Sequence, residues 1–123
     1  MDSENLVGKG AIHVKSKNFA VRIIRLVQFL QKEKKEHVLS KQLLKSGTSI
    51  GANVSESVYA QSKADFISKM SIALKEAAET EYWIDLLEET EYVKVEQVAD
   101  LKSELEEVLK LLTSIIKTSK KNS

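Results

Sequence analysis

The sequence predicts an all-α fold, an antiparallel up-down-up-down four-helix bundle, and three observations carry that expectation. No proline occurs in 123 residues, so nothing removes a backbone donor from a long helix. Apolar residues recur at spacings of three and four along four separate segments, the period of a single helix face. No stretch alternates as a half-buried strand would.

The first helix is expected from about Asn18 to Lys32, with Phe19, Ile23, Leu26 and Leu30 on one stripe and Ile24 and Val27 widening it. The second starts near Ser40 as N-cap, Leu39 and Leu44 standing at the two positions of a hydrophobic staple. Leu43, Gly47, Ile50 and Val54 continue it as a seam. The third opens on Ser62-Lys63-Ala64-Asp65, a capping-box pattern. Its stripe is Phe66, Met70, Ala73, Ala77, Thr80, Ile84 and Leu87, over a helix about 40 Å long. The fourth starts near Lys94 or Val95 without a clear cap and carries Val98, Leu101, Leu105, Val108, Leu112 and Ile115, with Leu109 and Ile116 beside them. Four such stripes joined by short connections favour antiparallel neighbours at shallow crossing angles. The expected organisation is a flexible N-terminal segment over 1–17, the bundle over 18–117 and a flexible tail over 118–123.

Composition narrows the function classes. A hydrophobic content of 42% with 30% charge is that of a globular domain, and 6% aromatic content leaves the core to aliphatic side chains. Without cysteine there is no disulfide, thiolate metal site or thiol nucleophile. Residues 1–18 lack the apolar run of a signal sequence, and no stretch approaches a membrane span, so a cytoplasmic location is expected. The net charge of +1 hides an asymmetry: residues 1–37 hold eight Lys/Arg against four Asp/Glu, and residues 63–90 three against seven. Such polarity steers subunits together or presents a basic face to phosphate; the plainer reading is a solvated surface.

On a helical wheel started at Lys15, the apolar Phe19, Ile23, Leu26, Val27 and Leu30 fall between about 20° and 120°, and Lys15, Arg22, Arg25 and Lys32 between about 260° and 360°. One helix thus carries a core face and a basic face. Those four cations are the candidate nucleic-acid contacts, and the opposing reading makes them a docking surface for the acidic third helix of a neighbour.

The run Ser46-Gly47-Thr48-Ser49-Ile50-Gly51-Ala52-Asn53 admits three readings. Gly47 to Gly51 matches G-x-S-x-G, but a nucleophile elbow needs a sheet and a later histidine, and His13 and His37 both precede Ser49. A phosphate loop needs a closing Gly-Lys-Ser/Thr after a strand, which is absent. The third reading is packing: Gly47 and Gly51, four apart on one helix face, let another backbone approach. Each glycine costs a helix about 0.8–1 kcal/mol relative to alanine, so a compensating contact is expected. A helix break near Gly47, forming a polar site with Thr48, Ser49 and Asn53, is the alternative. Glu76 with Glu79, and Glu104 with Glu107, are carboxylate pairs of the kind that hold di-iron centres, but the Glu-x-x-His partners such centres require are missing. A bundle nuclease of the HEPN type would need Arg four to six residues before His, a spacing found at neither histidine. No metal, cofactor or small-molecule substrate is expected.

The stretch Lys75-Glu76-Ala77-Ala78-Glu79-Thr80-Glu81-Tyr82-Trp83, with SGTSIGAN and the Asp65-Phe66-x-x-Lys69 spacing, resembles the four-helix bundle proteins found as open reading frames in intervening sequences of bacterial 23S ribosomal RNA genes. The likeness covers most of residues 39–87. This chain has Lys45 where that family commonly has arginine, which keeps the charge and loses the bidentate geometry. The resemblance implies a ring-shaped homo-oligomer, a pentamer. It places Glu76, Glu79, Tyr82 and Trp83 at an interface, where from periodicity alone Trp83 is either a core edge or an interface anchor. A more distant similarity, to the accessory variability protein of diversity-generating retroelements, implies binding of RNA or a nucleoprotein. The functional expectation is therefore a non-enzymatic, homo-oligomeric bundle that binds RNA or a nucleoprotein; the alternative is a protein-interaction scaffold with no nucleic-acid affinity.

Overall fold

Four long helices form where the apolar stripes run, because each stripe can be buried only against another. The computed structural model describes residues 3–122, with side chains from residue 10 onward. Helix α1 spans Ser3–Glu33, α2 Leu39–Ser57, α3 Lys63–Glu89 and α4 Val95–Lys121. No strand occurs among the described residues. Each helix packs on its neighbours in sequence, and α1 also packs on α4; the backbones of the diagonal pairs α1/α3 and α2/α4 do not come close among the described residues.

Both outer boundaries differ from expectation. Helix α1 begins well before Asn18, and Ile12 and Ser16 are fully buried within it. The stripe thus reads Ile12, Ser16, Phe19, Ile23, and the serine at a seam position hid its first turns from an apolar count. Helix α4 continues past residue 117 to Lys121, its final Lys120 and Lys121 lying where cations oppose the negative end of the helix dipole. Residues 1, 2 and 123 of the expected flexible ends lie outside the described residues.

The core is almost wholly aliphatic. Phe19, Ile23, Leu30, Leu43, Ile50, Met70, Ile84, Leu87, Leu105 and Leu112 are fully buried, each worth about 1.5–3 kcal/mol of transfer free energy. Val27 is buried while Leu26 is only half-buried, so the α1 stripe is rotated slightly from the expected one. Ile116 joins the core too, whereas Ile24 stays exposed.

The helix starts are capped from different sources. Ser62 caps α3 as expected, its hydroxyl accepting from the Asp65 N–H at 3.0 Å while the Asp65 carboxylate accepts from Gln61 N–H at 3.2 Å. At α4, Gln97 Oε1 accepts from the Lys94 N–H at 3.3 Å, and lysine has no acceptor to return the bond. Ser40 is not the N-cap of α2. The N-cap is Val38, two residues earlier, and the buried Glu36 carboxylate accepts the N–H groups of Val38, Leu39 and Ser40 at 3.2, 3.0 and 2.7 Å. Leu39 and Leu44 still pack on the core, though two helix positions away from a staple. Ser40 instead closes the corner, donating to the Glu36 carbonyl at 2.8 Å and accepting from Gln31 Nε2 at 3.2 Å.

Burial pushes the Glu36 carboxyl up, but the N–H bonds from Leu39, Ser40 and Val38 outweigh it and hold the group below the usual carboxylate range. A depressed folded value means that this stabilisation is fully present above the unfolded value, near pH 4.3, and is lost as pH falls through the folded one. Glu36→Ala is expected to lower stability by about 0.5–2 kcal/mol at neutral pH. In urea denaturation the gap from the parent should narrow towards about pH 3; a gap that stays constant would contradict the cap.

Candidate interaction surfaces

The Gly/Ser/Thr-rich segment lies inside α2, without a break, and its hydroxyls are engaged. Thr48 Oγ1 donates to the Leu44 carbonyl at 2.7 Å, Ser49 Oγ donates to the Lys45 carbonyl, and Asn53 Nδ2 donates to the Ser49 carbonyl at 2.8 Å. These are back-bonds along one helix. Ser49 therefore does not stand on an exposed turn, and the polar-site alternative with Thr48 and Asn53 gives way to a packing seam.

The two glycines differ. A methyl group at Gly47 would lie 2.8 Å from Ile23 Cγ1 and Cγ2 and 3.2 Å from its Cβ, and Ile23 is a fully buried β-branched residue with little room to move. At Gly51 the nearest atom is the Ser16 carbonyl oxygen at 3.4 Å, an ordinary contact. On the other side of α2 the buried Thr80 hydroxyl contacts Ser46 Oγ at 2.9 Å and the Glu76 carbonyl at 2.8 Å. This cross-helix hydroxyl pair was missed in the sequence; its only signal was a threonine inside an apolar stripe.

The basic face of α1 is split. Arg22 Nη1 donates to Glu104 Oε1 at 2.7 Å, and Lys15 Nζ to Glu107 Oε2 at 2.9 Å. The carboxylate pair once considered for metal thus binds cations of α1. Arg25 and Lys32 are exposed and have no ion-pair partner among the described residues. Between α1 and α4 a groove of about 350 Å³ is lined by Arg22, Arg25, Leu26, Phe29, Val98 and Leu101, together with Gln97. Lys34 Nζ sits 6.0 Å from the centre of the Phe29 ring. No periodicity rule announces this groove, because its lining comes from two helices far apart in sequence.

Along α3, Trp83 is half-buried against the core, its Nε1 donating to Glu79 Oε1 at 3.3 Å, and the Tyr82 ring stands edge-on to it at 5.3 Å. Tyr82 is 57% exposed. Glu76 is half-buried and Glu79 exposed. Trp83 is therefore a core edge whose surroundings remain open. On the opposite flank, Lys102 reaches Asp85 at 3.3 Å and Glu88 at 3.2 Å; burial lowers its pKa, and the two carboxylates more than offset this.

These features sit on a chain whose residues 10–114 match the family model described as 23S rRNA-intervening sequence protein. The chain belongs to that family. A crystal structure of a protein of unknown function from the S23 ribosomal protein family of Bacteroides thetaiotaomicron VPI-5482 is similar at 55% identity, covering 89% of this chain and 98% of that one with a TM-score of 0.88. No curated protein matches the chain. The shared fold thus extends over nearly the whole bundle, with the small-residue seam inside it.

Gly47→Ala is expected to destabilise by about 1–3 kcal/mol through overpacking. Gly51→Ala should be neutral or stabilising by up to about 1 kcal/mol through helix propensity. Denaturant midpoints that move the same way for both would refute the asymmetry.

Proposed function

We infer that this family member works by binding rather than catalysis, as a self-associating bundle that acts as a protein-interaction scaffold in the cytoplasm. The observation that carries this is apolar surface left over once all four seams are closed. Val14, Val21 and Ile24 on α1 and Ile72 and Tyr82 on α3 are 40% or more exposed, and exposed apolar clusters at fixed places mark interaction sites. An up-down-up-down order is supported by five-residue connections and by contact pairs that run in opposite directions: Ser16, Ile23 and Gln31 meet Gly51, Gly47 and Ser40, while Ser46 and Glu56 meet Thr80 and Lys69. A closed homo-oligomer, taken as a pentamer, would cover the apolar faces by repetition.

RNA or nucleoprotein binding is the second reading, favoured by the exposed, unpaired Arg25 and Lys32. It is weakened by the commitment of Lys15 and Arg22 to α4, although exposed ion pairs are worth only about 0–1 kcal/mol and can be exchanged for phosphate.

Light scattering at about 50 μM should give a mass several times that of the 13.8 kDa chain; a monomer would sink the scaffold reading. RNA retention by the same material at low salt, abolished by charge reversal at Arg25 and Lys32 with the assembly intact, would establish the second reading in its place.

A further inference from the structure

We propose that the groove between α1 and α4 is the seat for the Glu79–Trp83 edge of α3 from a second copy of this chain. The proposal rests on the self-association inferred above and names the surfaces that make it.

Three observations converge on this pairing. The first is chemistry. The groove offers an apolar floor of Leu26, Phe29, Val98 and Leu101 with the unpaired Arg25 at its rim. The α3 edge offers Trp83 and the exposed Tyr82 beside the exposed Glu79 carboxylate. An aromatic body next to an anion is complementary to an apolar cleft next to a guanidinium, and aromatic and arginine side chains dominate contacts of this kind.

The second is register. Arg22, Arg25 and Phe29 are spaced three and four apart along α1, and Glu76, Glu79 and Trp83 are spaced identically along α3. Two helices of equal rise laid side by side in the same direction keep such triplets opposite one another over about 10 Å. Glu79 then faces Arg25 and the Trp83 ring faces Phe29, while Arg22 keeps Glu104.

The third is placement. Glu79 and Trp83 lie on the side of α3 towards α2, because Asp85 and Glu88 occupy the side that holds Lys102 of α4. The seam α2/α3 is opposite the seam α1/α4 in a bundle whose diagonal pairs make no close backbone approach among the described residues. A chain therefore cannot fill its own groove. Each copy presents the groove on one flank and the edge on the other, which is a head-to-tail contact that propagates from copy to copy and closes when the rotation allows.

Charge reversal tests the pairing. Arg25→Glu and Glu79→Arg, each alone, should weaken association by about tenfold, and the double variant Arg25→Glu with Glu79→Arg should restore it, since every groove then meets an edge of opposite sign. Mass is read by light scattering or sedimentation, with circular dichroism to verify that each variant keeps its helices. Trp83→Ala tests the apolar half and should also weaken association. Full assembly in both single variants, or a double variant as dissociated as the singles, overturns the pairing while leaving self-association standing. A monomeric parent protein overturns both.

Discussion

Ile23 of α1 lies against the bare backbone of Gly47 in α2, a contact that a β-carbon at residue 47 would obstruct. Ile23 is fully buried and has no space for one further carbon at residue 47. Bringing α2 this near costs a glycine in mid-helix, about 0.8–1 kcal/mol of propensity. The return is burial of Ile23 and of Ile50, one turn further along α2. Because α2 is held close on one side, its opposite side can meet α3 through side chains as small as Ser46 and Thr80, whose hydroxyls stay in contact within the bundle. Small residues on α2 thus set two of the four seams.

The α1/α4 seam is built differently. Its rim carries the ion pairs Arg22 with Glu104 and Lys15 with Glu107, long charged side chains where the α1/α2 seam has glycine. The groove lies on this seam, beside Arg25 and Phe29. The same bundle therefore combines a tight, small-residue side with a loose, charged one. Tight packing there specifies the fold, and the open seam leaves surface available for contact with other molecules.

Much of this was legible before any coordinates. Four stripes with a period near 3.6, the absence of proline, the Ser62–Asp65 cap and the two glycines on one helix face each state a local constraint that a helix must satisfy. Where local reasoning went astray, a non-local partner was responsible. The first turns of α1, outside the expected helix, carry Ser16 at a seam position opposite Gly51. Ser40 looked like a cap because serine commonly is one, yet the folded chain places Glu36 nearer to the free N–H groups, and a carboxylate that accepts three of them displaces a hydroxyl that accepts one.

By itself, then, the sequence determined the helices, their buried faces and the family to which the chain belongs, since period, caps and signature residues are properties of neighbours along the chain. Packing in three dimensions is what crowds Gly47 against Ile23 while leaving Gly51 room for a methyl, pairs Lys15 and Arg22 with α4, and sets Arg25 beside a groove. Each depends on distances between residues far apart in sequence, and those distances are set by how four helices settle against one another.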